Sequence, residues 1–95
     1  MVFDLSKVTN LGEYTHKTEQ NRTIYYKGEK AFLIVSKNTI EVRCDSKLSS
    51  LLQEKYESVM ESRYFGKGGI EIVLADQLKT DEVNDLIRLS YNLTI

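Results

Sequence analysis

Apolar residues recur along this chain in two rhythms, every third or fourth position in some segments and every second position in others. In FDLSKVTNLG the helical rhythm is set by Leu5, Val8 and Leu11, and Gly12 is placed as a C-terminal stop. A short helix is predicted there, followed by a loop over the polar run EYTHKTEQN. Residues 22–27 and 30–37 are strand-like, joined by a turn at Gly28-Glu29. Ala31 to Val35 is apolar at every position, which predicts a central strand covered in part on both faces. Residues 39–44 alternate, with Ile40, Val42 and Cys44 inward and Thr39, Glu41 and Arg43 toward water. Asp45 is a fitting N-cap for a helix whose stripe is Leu48, Leu51, Leu52 and Tyr56. A second hairpin is predicted from residues 59–65 and 69–74, with Gly66-Lys67-Gly68 at its bend. Thr80 is the expected cap of a last helix with Val83, Leu86, Ile87 and Tyr91 on its buried side, and Asp81 and Glu82 suit its positive end. The order α-β-β-β-α-β-β-α predicts an α+β fold, an antiparallel sheet of about five strands with helices packed on it.

At 95 residues the chain is expected to be a single domain, residues 1–95, with one modest core. Thirteen Lys and Arg against fourteen Asp and Glu leave a net charge of −1, so no global field draws in a polyanion, although a basic face can exist within a neutral total. One cysteine excludes an internal disulfide. Residues near Met1 lack the order of a signal peptide, and no apolar run approaches a membrane span. A cytoplasmic protein without membrane contact is expected, and the Asn21-Arg22-Thr23 and Asn92-Leu93-Thr94 glycosylation patterns are then chance.

Candidate chemistry narrows quickly. A nucleophilic cysteine needs a base or a cationic setting. Cys44 shares its strand face with Ile40 and Val42, Arg43 points the other way, and His16 lies in a distant loop, so Cys44 is expected to be a structural cysteine and the chain not to be an enzyme. One His and one Cys cannot complete a zinc site, and Asp81, Glu82 and Asp85 are read as a helix start, so neither metal nor cofactor is expected. Gly66-Lys67-Gly68-Gly69 lacks the spacing, the Ser or Thr and the following helix of a phosphate-binding loop.

Four anchors, taken in order, resemble the MmcQ/YjbR family over roughly the last two-thirds of the chain. They are Arg43-Cys44-Asp45 leading into Leu48, Leu51 and Leu52; Tyr56 near the end of that helix; the Arg63–Gly69 hairpin; and the closing Ser90-Tyr91-x-Leu93. The chain departs from the family pattern at Ser46, where proline is usual, at Ile70, where Trp is common, and in its shorter first helix. The resemblance implies a frataxin-like sheet backed by helices, likened to a double-wing DNA-binding arrangement and common in bacterial proteins of unassigned function. It does not carry over frataxin's iron binding, because the first segment offers only Asp4 and, beyond it, Glu13.

Lys27, Lys30, Lys37, Arg63 and Lys67 fall in or beside predicted hairpin turns, where they could meet phosphates. Tyr25, Tyr26, Tyr64 and Phe65 supply aromatic surface nearby. The expected function is therefore non-enzymatic DNA binding through basic hairpin tips. The alternative is a protein-interaction or small-ligand-binding domain, favoured by the near-zero charge, by acidic residues that interrupt the basic ones, and by the tyrosine-rich strands.

Overall fold

Each alternating segment pairs with its neighbour. The computed structural model describes residues 5, 8, 11–74 and 78–95. Strands β1 (Thr15–Glu19), β2 (Arg22–Lys27), β3 (Lys30–Val35) and β4 (Thr39–Arg43) run as an antiparallel meander. Helix α1 (Ser46–Lys55) then leads to the hairpin of β5 (Val59–Ser62) and β6 (Gly66–Val73), and β6 docks on β4. The described sheet has the order β1-β2-β3-β4-β6-β5, and α2 (Thr80–Leu93) closes the chain. Both helices lie on one face, α1 against β5 and β6 and α2 against β3 and β4.

This is an α+β antiparallel architecture with six described strands rather than five. The extra strand is β1, which forms from the polar run expected to be a loop. It pairs with β2 from Glu19↔Arg22 to Thr15↔Tyr26 around Gln20-Asn21, and it lies mostly exposed at the sheet edge. The predicted first helix lies largely outside the described residues. Of it, Leu5 and Val8 are buried, with the Val8 amide donating to the Leu5 carbonyl.

Three smaller expectations also change. The β5–β6 turn occupies residues 63–65, and β6 begins at Gly66, whose φ of 62° suits glycine. Pairing skips from Glu61↔Ile70 to Ser62↔Gly66, so residues 67–69 bulge out of register. Lys79, not Thr80, occupies the N-cap of α2, with no side-chain cap bond. On α1, Leu48 and Leu52 pack on the core while Leu51 is 62% exposed. Asp45 does cap α1, accepting from the Lys47 amide.

The main core lies between sheet and helices and includes Phe32, Leu33, Ile40, Val42, Ile70, Ile72, Val83 and Ile87. Phe32 and Leu33 are sequence neighbours yet both belong to it. A bulge explains this: Tyr25 pairs with Leu33 and Tyr26 with Ala31, leaving Phe32 unpaired across β2. The same displacement interrupts the β3–β4 ladder, whose last pair is Leu33↔Val42. Ser90 of α2 fills the gap, its hydroxyl donating to the Phe32 carbonyl (2.6 Å) and accepting from the Arg43 amide (2.7 Å). A helix side chain thus completes the sheet. Tyr91 beside it packs edge-on against Phe32 and donates to the Glu13 carbonyl, so the Ser-Tyr pair anchors α2.

Candidate functional site

Antiparallel pairing decides which turns share an end of the sheet. The β2–β3 turn, the end of β4 and the start of β6 lie together, because Lys27 pairs with Lys30 and Arg43 with Gly69. Lys27, Lys30 and Lys67 therefore gather at one end, joined by Lys47 in the first turn of α1 just beyond β4. The acidic residues of these segments are Glu29 and Asp45. Lys37 sits in the β3–β4 turn at the opposite end.

The five basic residues singled out in the sequence also differ in freedom. Lys30, Lys37 and Lys67 are exposed. Lys27 is half-buried, donating to the Tyr91 carbonyl (3.1 Å) with its ammonium 4.4 Å from the Tyr91 ring centre. It supplies, from another element, the cation that the last turn of α2 lacks. Arg63 reaches back over the sheet to Glu71.

That last contact belongs to a cluster on the sheet face opposite the helices. Glu41 and Glu71 are direct cross-strand partners and both are buried. Glu71 is gripped by Arg63 through Nε (3.0 Å) and Nη2 (3.1 Å), and the carboxylate beside it raises the guanidinium's already high pKa. Glu41 accepts from the Ser62 hydroxyl (2.8 Å) and the Tyr64 amide (3.0 Å). Together the two carboxylates bind residues 62–64 down across the sheet like a strap. Phe65 extends it, packing on the small outer cluster of Ile24, Ala31 and Ile34 beneath the Arg43 guanidinium. Arg43 is held in turn by its bond to the Ala31 carbonyl.

The alternation along residues 39–44 implied a water-facing Glu41, and Glu71 stood out in no pattern. The one available signal was a glutamate in mid-strand on each of two segments that had to be central. Their pairing and the strap that covers them are long-range. The aromatic residues divide as well: Tyr25 packs on the helix-side core, Tyr26 and Phe65 on the outer cluster, and Tyr64 is largely exposed.

Cys44 follows β4 and is 4% exposed within the helix-side core. Burial, and secondarily the Asp45 charge, pushes its thiol from 9.0 up to about 11. At pH 8 the folded thiolate fraction is then about 0.1%. Native protein is expected to react with iodoacetamide about 100-fold more slowly than unfolded protein; equal rates would refute the burial argument. The folded value exceeds the unfolded one, so Cys44's contribution to stability is complete below about pH 9 and is lost as pH rises through about 11.

Among the described residues no group of three or more His, Cys, Asp and Glu could hold a metal ion, and no helix is long and apolar enough to cross a membrane. No family model matches the chain, and no curated protein matches its sequence. Among solved structures, the Deinococcus radiodurans protein DR2400, which carries the family-model domain DUF419, is similar with a TM-score of 0.80. The match covers 93% of this chain and 72% of that one at 13% sequence identity. The chain therefore has the fold of a DUF419 domain protein, and DUF419 is the MmcQ/YjbR family that its sequence anchors resemble.

Proposed function

We propose that this domain is a non-enzymatic binding module that contacts the phosphate backbone of duplex DNA through the basic end of its sheet. The observation that carries the reading is the convergence of Lys30 and Lys67, with Lys27 and Lys47 beside them, at one end of the strands. Lys30 on β3 and Lys67 on β6 are separated by two strand spacings, about 10 Å of backbone. Both side chains are exposed and their ammonium groups can reach separate phosphates. Lysine ammoniums on flexible stems provide charge without a base-reading fork, so backbone contact with little sequence preference is expected. Lys37 stands at the far end, and Arg63, tied along one edge to Glu71, is turned back over the outer face of the sheet and away from Lys30 and Lys67, so neither takes part. The burial of Cys44 supports the non-enzymatic side of the reading.

A salt titration of binding to a random-sequence duplex tests this. Lys30→Glu with Lys67→Glu is expected to weaken binding more than about tenfold and to reduce the slope of log K against log salt by about 2. Lys37→Glu should change neither. Absence of binding at low salt, or the same salt slope in the double variant, would defeat the proposal.

A further inference from the structure

The geometry points to a second site on the outer sheet face, an oxyanion cleft framed by Arg22 and Arg63 that takes the phosphate group of a small, hydroxyl-bearing phosphate monoester. The cleft lies at the end of the strands away from Lys30 and Lys67 and is independent of the DNA reading. It has two parts, of about 270 Å³ and about 440 Å³, which share Arg22 and Ser36. Arg63, Tyr64 and Glu41 complete the first, while Lys37 and Asn38 of the β3–β4 turn line the second. Both parts are shallow, open depressions, suited to gripping one end of a small ligand and not to enclosing it.

The cationic lip is preorganised. Glu71, 4% exposed at its side chain, holds one edge of the Arg63 guanidinium, while the Arg63 side chain is 80% exposed. Nε and Nη2 are occupied, which leaves Nη1 to donate outward. A guanidinium fixed along one edge loses little freedom when its other edge meets an oxyanion. Arg22 stands with its guanidinium carbon 5.8 Å from the Tyr64 ring centre, and that ring's backbone is tied to Glu41. Glu19 is 3.5 Å from Arg22 and offsets part of its charge. Glu71 behind Arg63 and Glu41 in the floor balance the remaining charge, so the attraction for an oxyanion rests on the directed guanidinium donors of Arg22 and Arg63 and not on a net positive field.

The floor is different. Glu41 lines it with Oε1 already accepting from Ser62 and Tyr64. A carboxylate there repels a bare anion seated deeply and favours a hydroxyl that can donate to it. Ligand orientation follows from this division. The phosphate lies outward between the arginines, and the hydroxyl-bearing part turns inward toward Glu41, Ser36 and Asn38. This is why the cleft suits an organic phosphate better than inorganic phosphate.

Amide chemical-shift titration of the ¹⁵N-labelled protein with glucose 6-phosphate, AMP, inorganic phosphate, citrate and glucose tests the assignment. A phosphate monoester is expected to shift the amides of Arg22, Ser36 and Tyr64 with a dissociation constant on the order of 1 mM, about tenfold tighter than inorganic phosphate. Arg22→Gln is expected to weaken it about tenfold with the rest of the spectrum unchanged, and Lys37→Gln to weaken it by a smaller factor. The proposal is overturned by any of three results: no shifts with either monoester, equal binding of citrate, or binding unaffected by Arg22→Gln. Shifts centred instead on Lys30 and Lys67 would overturn the cleft while leaving the basic-end reading intact.

Discussion

Ser90→Ala is expected to destabilise the domain by about 2–4 kcal/mol, a drop in Tm of roughly 10–25 °C for a chain of this size. The lost atom is a hydroxyl oxygen on a residue with no exposed surface, bridging two backbone groups of neighbouring strands. Its removal leaves the Arg43 amide and the Phe32 carbonyl facing each other across a gap in the ladder. Each unmet buried group costs about 1–3 kcal/mol, far more than the volume lost in going from Ser to Ala. Ser90→Thr keeps the oxygen and should recover part of the loss. Urea unfolding of the variants decides the matter. A loss below about 0.5 kcal/mol for alanine would mean the bridge is replaceable.

Phe32→Ala should cost about 3–5 kcal/mol by the same measurement. Phe32 is fully buried and sits at the bulge, with ring centres of Tyr91 at 5.1 Å and Tyr14 at 6.1 Å, both edge-on. The substitution removes the ring that α2's anchor leans on and leaves a cavity in the main core. Phe32→Leu should cost less, because most of the volume returns. Similar losses for leucine and alanine would show that edge-on ring geometry, rather than filled space, sets the energy at this position.

These two residues also show what the sequence does and does not disclose. The unbroken apolar run from Ala31 to Val35 correctly implied a central strand covered on both faces. It could not show that Phe32 and Leu33 would share a face, because a bulge is a property of pairing, and its partner strand lies outside the local pattern. β1 was illegible for another reason. The segment Thr15–Glu19 is an edge strand mostly exposed to solvent, so no alternation of apolar and polar residues marks it. The glycines at 66, 68 and 69 drew the predicted bend a few residues too late. Only Gly66 needs its unusual φ, and an added Cβ on Gly69 would stand 2.6 Å from the Val42 carbonyl, so that glycine permits close strand approach rather than a turn.

The candidate surfaces divide along the same line. Lys27, Lys30 and Lys67 were visible as individual charges, Lys47 was passed over at the start of α1, and topology decided which of them share an end. The outer-face cluster was signalled only by a glutamate in the middle of each of two strands. Glu41 read as an ordinary water-facing position, and its pairing with Glu71 under the β5–β6 strap exists only once β4 meets β6.

The Ser90 bridge has a kinetic consequence. The Arg43 amide finds its acceptor on a helix 47 residues further along the chain, so its protection from solvent exchange depends on α2 being docked. Detachment of α2 opens the β3–β4 ladder at that point and also withdraws Tyr91 from Phe32. Sheet and terminal helix are thereby coupled into one cooperative unit. The Arg43 amide, at the end of a strand, reports on the helix.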